Sequence, residues 1–411
     1  MKLLLEKMHE DLKSNGYTNR KLAALFNVSH TTVNSYFSHG TKFDFMHYVE
    51  TLRLYEPKDI NFRRESLLKS FNDLSPNNER LGLEVLNMYG EFELQKILIS
   101  KIQNNTETNK NARLNKKMAE VYQLLALRNE GFINKHEFFR AVDDFRNSRI
   151  ISTNELKIIS DFALIYSHLD FNDHKMVLKY TKQLMPYIEE IKKGTSKTSF
   201  ALRAKEMLAT SSHHANDLEQ ARKYCFEIVN DPLNKYECMK ALAYCILGET
   251  YILEDYSIAK YYFEQGILTL DSPSNRKSIV RKKAIENTLN FLKIHWRKDL
   301  ENIKPTDKAE EAFLYAVTGR EAQSLLLLEE LEKENKKLSP IQKYYKGLAT
   351  ADKKYFEESI EDFERLGDFF YSRGCCKTKI NMQCYESEKL AEHVVDSDFD
   401  HTNVAVPALY L

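Results

Sequence analysis

The chain has 411 residues, and its 60 Lys and Arg cancel its 60 Asp and Glu, so no global field recruits nucleic acid or an acidic surface. With only 12 Gly and 8 Pro, and with Leu, Lys, Glu, Ala, Tyr and Phe filling the rest, the composition excludes a protein of strands and tight turns and points to an all-α fold. No stretch approaches the roughly 18 apolar residues of a membrane span, and the opening apolar run stops at Glu6 after three leucines, which is no signal peptide.

The first expected helix lies in KLLLEKMHEDLKSNG, where Leu5, Met8 and Leu12 share one face and Gly16 marks the end. KLAALFNVSHTTVNSYF (21–37) follows with the spacing of a helix-turn-helix. Leu22, Phe26, Val28, Val33 and Tyr36 supply the apolar positions, and Ala23 is the small residue where two helices cross. Asn27 sits in the turn, where a left-handed backbone is required and Asn substitutes best for Gly. Ser29 caps the second helix. The outer face of that helix carries Ser29, His30, Thr31, Thr32, Asn34 and Ser35, with Arg20 and Lys42 as flanking cations; short polar side chains of this kind suit base edges and phosphates. TKFDFMHYVETLRLY then opens on Thr41 and Asp44 as a capping-box-like pair and turns Phe45, Tyr48, Val49 and Leu52 inward. Residues 1–56 hold seven Lys or Arg against six Asp or Glu, so one copy would grip phosphate weakly and useful affinity requires a homodimer on a duplex operator. An ordinary small helical subdomain is the alternative reading of these residues.

From about residue 60 onward, helix-length segments alternate with short polar breaks. Three share a spacing: Gly248, Ala259 and Phe263; Gly347, Ser359 and Phe363; and Ala209, Ala221 and Cys225. A small residue, a second one 11 or 12 positions later and a bulky one four beyond is the packing pattern of tetratricopeptide helix pairs. The expected architecture is an N-terminal helix-turn-helix domain (1–56), a degenerate tetratricopeptide-like superhelix (57–385) and a C-terminal tail (386–411) as a candidate dimerisation or capping segment. The segment KIQNNTETNKNARLNKK (101–117) reads as a solvated loop between helices. A superhelix has a concave wall that accepts extended peptides, and Thr210, His213, His214 and Glu249 fall on first helices of their pairs, where that wall lies. For the two histidines, ordinary surface positions are the competing reading.

Conventional chemistry is absent. Cys225, Cys238, Cys245, Cys375, Cys376 and Cys384 show no CxxC spacing, which argues for reduced structural thiols in a cytoplasmic protein and against a metal site. No Gly-rich phosphate loop, GxSxG or HExxH occurs, so neither catalytic residues nor a cofactor are expected.

A helix-turn-helix leading a degenerate tetratricopeptide array resembles the peptide-sensing RRNPP regulators of Gram-positive bacteria and their phages, and within them the arbitrium receptors (AimR) of Bacillus phages. The resemblance runs to about residue 385, through HWRKDLENI (295–303), SIAKYYFEQGI (257–267), YYKG (344–347), GDFF around Asp368 and the TKFDFMHYVETLRLYEP helix. It implies a dimer on promoter DNA that senses a re-imported signalling peptide of about six residues and so shifts a temperate phage from lysis toward lysogeny. It further implies that Phe291, Phe370, Glu310 and Asp368 lie near the peptide, the two acids receiving an Arg that family peptides carry near the C-terminus. Thr210, His214, Cys238 and Glu249 stand where relatives clamp the peptide with Asn or Arg. The tail departs from the Leu-rich capping helix of relatives. A host-encoded quorum-sensing regulator of the same superfamily is the nearest rival. A response-regulator phosphatase with a tetratricopeptide array and a plain tetratricopeptide scaffold are the others.

Overall fold

A computed structural model of the chain describes residues 2–39, 43–148, 153–271, 274–305 and 307–378; Thr41, Lys42 and the tail 386–411 lie outside them. The chain is helical throughout the described residues, with no strand among them. The N-terminal helices are α1 (Lys2–Ser14), α2 (Asn19–Phe26), α3 (His30–His39), α4 (Phe45–Tyr55) and α5 (Ile60–Ser70). There follow α6 (Pro76–Tyr89), α7 (Phe92–Gln103), α8 (Lys110–Glu130), α9 (Lys135–Asn147), α10 (Asn154–Asp170) and α11 (His174–Glu190). The central helices are α12 (Thr195–His214), α13 (Leu218–Val229), α14 (Glu237–Glu249), α15 (Tyr256–Thr269) and α16 (Arg276–His295). The last are α17 (Lys308–Val317), α18 (Glu321–Asn335), α19 (Pro340–Thr350), α20 (Lys353–Leu366) and α21 (369–378). No described helix is long and apolar enough to cross a membrane.

Two compact units divide the chain. The first holds Met1–Ala209, Lys223–Tyr244 and Gly266–Lys282; the second holds Thr210–Arg222, Cys245–Gln265 and Lys283–Leu411.

In the first unit, α2 and α3 meet at a turn whose Asn27 adopts φ 51, ψ 46. Leu22, Phe26, Val33 and Tyr36 are buried and Val28 half-buried. Phe37 joins them, stacked on His9 at 4.2 Å; its place one residue after Tyr36 puts it on the same buried arc, because positions i+3 and i+4 from Val33 lie side by side on a helix. Asp44, accepting from the Met46 and His47 amides, caps α4. That helix is committed to the helices after it. Phe45 lies against Gly82 of α6, Asn78 Nδ2 donates to the Phe43 carbonyl at 2.6 Å, and the Tyr89 hydroxyl donates to Glu50 at 2.5 Å.

The segment 101–117 corrects an expectation. Only 104–109 is a loop, and Asn109 caps α8 by accepting from the Ala112 amide. Ala112 and Asn115 are buried, because a helix needs a single apolar stripe and carries charged residues on its other faces without penalty. Deeper in the same unit Arg203 is fully enclosed. It donates to Glu84 at 2.7 Å and to the Tyr166 hydroxyl at 3.1 Å, while Tyr122 and Ser199 also donate to Glu84.

The second unit shows what the repeat spacing is for. Gly248 of α14 lets the Phe263 ring of α15 rest on the helix backbone, since a Cβ there would meet the ring at 2.6 Å. In the α19–α20 hairpin the ring seated on Gly347 is Phe356, and Phe363 stacks instead on Tyr371 at 5.8 Å. Phe356, Ser359 and Phe363 share one face of α20, so the hairpin can seat either ring. Ser359 donates to the Pro340 carbonyl at 2.8 Å and thereby ties the two helices.

Candidate functional site

The outer face of α3 follows from what its inner face buries. With Val33, Tyr36 and Phe37 enclosed, His30, Thr31 and Asn34 are exposed, Thr32 and Ser35 half-buried, and Ser29 and Arg20 exposed beside them. Ser29 Oγ accepts from the Thr32 amide at 3.1 Å and lies 2.7 Å from the Thr31 hydroxyl and 2.8 Å from that of Thr32, so one side chain both starts the helix and orders two neighbours. The Tyr36 hydroxyl, 3.1 Å from His47 Nδ1, and the Phe26 ring, stacked on His47 at 4.9 Å, hold this pair of helices to α4.

A second cluster lies in the second unit. Asp368 caps α21, accepting from the Tyr371 amide at 3.2 Å. Its other oxygen is 3.0 Å from His214 Nδ1 at the end of α12. His213 Nδ1 is 3.8 Å from Glu249 and its ring packs on Phe370 at 4.3 Å. Thr210 is half-buried one helical turn before His214. The aromatic chain continues from Phe370 to Tyr371 (5.2 Å), from Tyr371 to Phe291 (6.3 Å), and from Phe291 to Phe313 (5.4 Å), which stacks on Tyr345 at 4.5 Å. Tyr345 donates to Glu310 Oε1 at 2.9 Å. Glu310 Oε2 is enclosed with no hydrogen-bond partner among the described residues, and burial pushes that carboxyl up to about 7, against the Tyr345 hydrogen bond. Burial, with Glu249 and Asp368 nearby, also raises the Tyr371 phenol well above its usual value.

Seven of the eight residues assigned to a peptide from the sequence therefore belong to this unit: Thr210, His214, Glu249, Phe291, Glu310, Asp368 and Phe370. Cys238 belongs to the first unit, where it lines a cavity of about 220 Å3 with Arg53, Arg63 and Arg64. Asp368 and Glu310 do not face a common point through their own hydrogen bonds: His214 occupies one and Tyr345 the other. Tyr371, Phe313 and Tyr345 connect them, and the sequence reading assigns none of the three a site role. The sequence signal for Tyr371 and Tyr345 is an aromatic in GDFFY and in YYKG, and Phe313 carries none.

Comparison with known proteins gives the family and the fold. The profile of a family described as AimR transcriptional regulator-like matches residues 64–378. An uncharacterized Bacillus anthracis protein, pXO2-35, is 29% identical over 258 residues, which cover 62% of this chain and 96% of that protein. The AimR transcriptional regulator of Bacillus phage phi3T is 26% identical over 319 residues, 75% of this chain and 79% of the regulator. Among solved structures, that of phAimR with a ligand shares the fold at a TM-score of 0.68, with 22% identity over 82% of this chain and 96% of that one. Selenomethionine phAimR does so at 0.65, with 20% identity over 92% and 97%. The family profile spans most of the helices described above, and the chain belongs to the AimR transcriptional regulator-like family.

Proposed function

We propose that this chain is a peptide-responsive transcription regulator that acts without catalysis. It grips a duplex operator as a homodimer through Ser29, His30, Thr31, Thr32, Asn34 and Ser35, with Arg20 and Lys42 on phosphates, and a short peptide in the second unit alters that grip. In a phage this would set the choice between lysis and lysogeny. The observation that carries the peptide half is Glu310: a carboxyl enclosed among aromatic rings, with one oxygen that has no hydrogen-bond partner among the described residues, suits a cation that reaches it without water. A peptide Arg there would bury its aliphatic stem against Phe291 and Phe370, and Asp368 would serve it by exchanging His214 for the guanidinium.

Calorimetry with synthetic hexapeptides carrying an Arg near the C-terminus tests this. Glu310→Ala and Asp368→Ala should each weaken binding by about 2–5 kcal/mol, the usual cost of leaving one member of a desolvated pair alone; unchanged affinity in both would place the peptide elsewhere. For the DNA half, Thr32→Ala with Asn34→Ala should relax operator specificity, each good base contact being worth about 1–3 kcal/mol.

A further inference from the structure

A cavity of about 210 Å3 opens in the second unit where the end of α16 meets α17, α19 and α21. Its apolar wall is Trp296, Phe313, Tyr344 and Leu348, and Arg297 and Lys377 line it as well. Among the described residues no carboxylate lines it, and neither cation has an ion-pair partner. His295 lines it too, but burial and the nearby Lys377 lower its pKa to about 4, so at neutral pH the imidazole adds no third charge. The wall is held in place. The Trp296 indole donates to the Ile252 carbonyl at 2.7 Å, and Arg297 sits in the left-handed region at φ 51, a conformation that costs a non-glycine residue about 1 kcal/mol or more.

An open aromatic-walled cavity whose lining includes two solvent-exposed cations, Arg297 and Lys377, matches an apolar body ending in an anion. An engineered cavity of about 150 Å3 accepts benzene, so this one has room for a ring and a short acid arm. We propose that the cavity binds a small arylalkyl carboxylate, its ring against Trp296, Phe313 and Tyr344 and its carboxylate between Arg297 and Lys377. This does not rest on the peptide reading, since none of Glu310, Asp368, Phe370 or His214 lines the cavity.

Trp296 is the only tryptophan of the chain, so its fluorescence reads the cavity directly. The full-length protein is titrated with phenylacetate, N-acetylphenylalanine, 2-phenylethylamine and 2-phenylethanol, with calorimetry as a second readout. The carboxylates should give a saturable change, and the amine and alcohol should bind about tenfold more weakly or worse. Arg297→Gln with Lys377→Gln should weaken phenylacetate by about tenfold, as expected for two charge-assisted contacts at a partly exposed site. Arg297→Lys with Lys377→Arg should keep most of the affinity, and both pairs should retain the wild-type circular dichroism. Tighter binding of N-acetylphenylalanine would assign the carboxylate to a peptide end, and tighter binding of phenylacetate to a free acid; both support the site. No saturable response to either carboxylate, equal binding of the amine, or undiminished binding in the Gln pair would overturn it.

Discussion

Gly248 is a residue at which one missing atom organises a hairpin. A Cβ would sit 2.6 Å from Phe263, itself fully buried, so neither side can yield without moving a helix. Gly248→Val should cost at least about 1–3 kcal/mol in denaturant unfolding, the usual range for overpacking, and a neutral result would show that the ring can move aside. Glu84 is the opposite case, a charge that is needed once buried. Its partner Arg203 is fully enclosed, so Glu84→Ala should cost about 3–5 kcal/mol by stranding a guanidinium. Glu310 gives a pH signature. Its carboxyl lies near 7 in the folded chain, against an ordinary 4.5, so between those values the folded state holds more protons than the unfolded one. Its contribution to stability is therefore fully present below about pH 4.5 and is lost as pH rises through 7. Glu310→Gln keeps an acceptor for Tyr345 and removes the charge, so the melting temperature of the variant relative to wild type should climb from pH 5 to pH 7.5. A difference that stays flat with pH would mean that the carboxyl is not enclosed.

At the scale of an element, α3 brings helix stability and the proposed DNA recognition together at one atom. Ser29 Oγ caps the helix and also orders Thr31 and Thr32 on the proposed DNA face. Ala and Asp at this position separate the two roles. Ser29→Ala should cost about 1 kcal/mol of stability through the lost cap. Ser29→Asp keeps a capping oxygen, and its charge favours the helix N-terminus, so stability should hold while operator affinity falls by repulsion from phosphate. Thermal melts and gel shifts on the two variants check this. Equal operator affinity in Ser29→Asp and wild type would remove Ser29 from the interface. The hairpins of the second unit follow a different logic. Ser339 caps α19 in a capping box with Gln342, and Asp352 caps α20, so each helix begins independently and the contact between Gly347 and Phe356 sets their approach.

At the scale of the whole molecule, α4 decides where the chain can be cut. It lies within residues 1–56, yet Phe45, Tyr48, Val49 and Leu52 are buried and Phe45 rests on Gly82. Deleting residues 1–39 should abolish operator binding and leave a cooperatively folded protein. Deleting residues 1–56 should in addition lower stability by several kcal/mol, because losing even one large buried aromatic costs about 3–5. Calorimetric melts of the two truncations measure the difference, and identical melting temperatures would mean that α4 contributes nothing to the helices beyond it. Sedimentation of the first truncation at micromolar concentration also tests whether the proposed dimer depends on the proposed DNA-reading helices.

What the sequence determined by itself is what neighbouring residues decide. The left-handed turn at Asn27, the Ser29 cap, the buried arc of Val33 and Tyr36, the small residues at 248 and 347 and the all-helical composition act within a few residues or as a repeating period, so they are written where they operate. The same locality explains the error at 101–117, where a cap at Asn109 and one apolar stripe outweighed the polar composition. Tertiary structure alone decided the rest: that Phe356 and not Phe363 seats on Gly347, that His214 reaches Asp368, that Arg203 finds Glu84, that Glu310 is enclosed with an unpartnered oxygen, and that Arg297 and Lys377 flank one aromatic cavity. The Asp368, Glu84 and Glu310 contacts each depend on a partner brought from distant sequence and on the removal of water around the carboxyl, and desolvation is a sum over every element that closes on a site. No local pattern contains that sum.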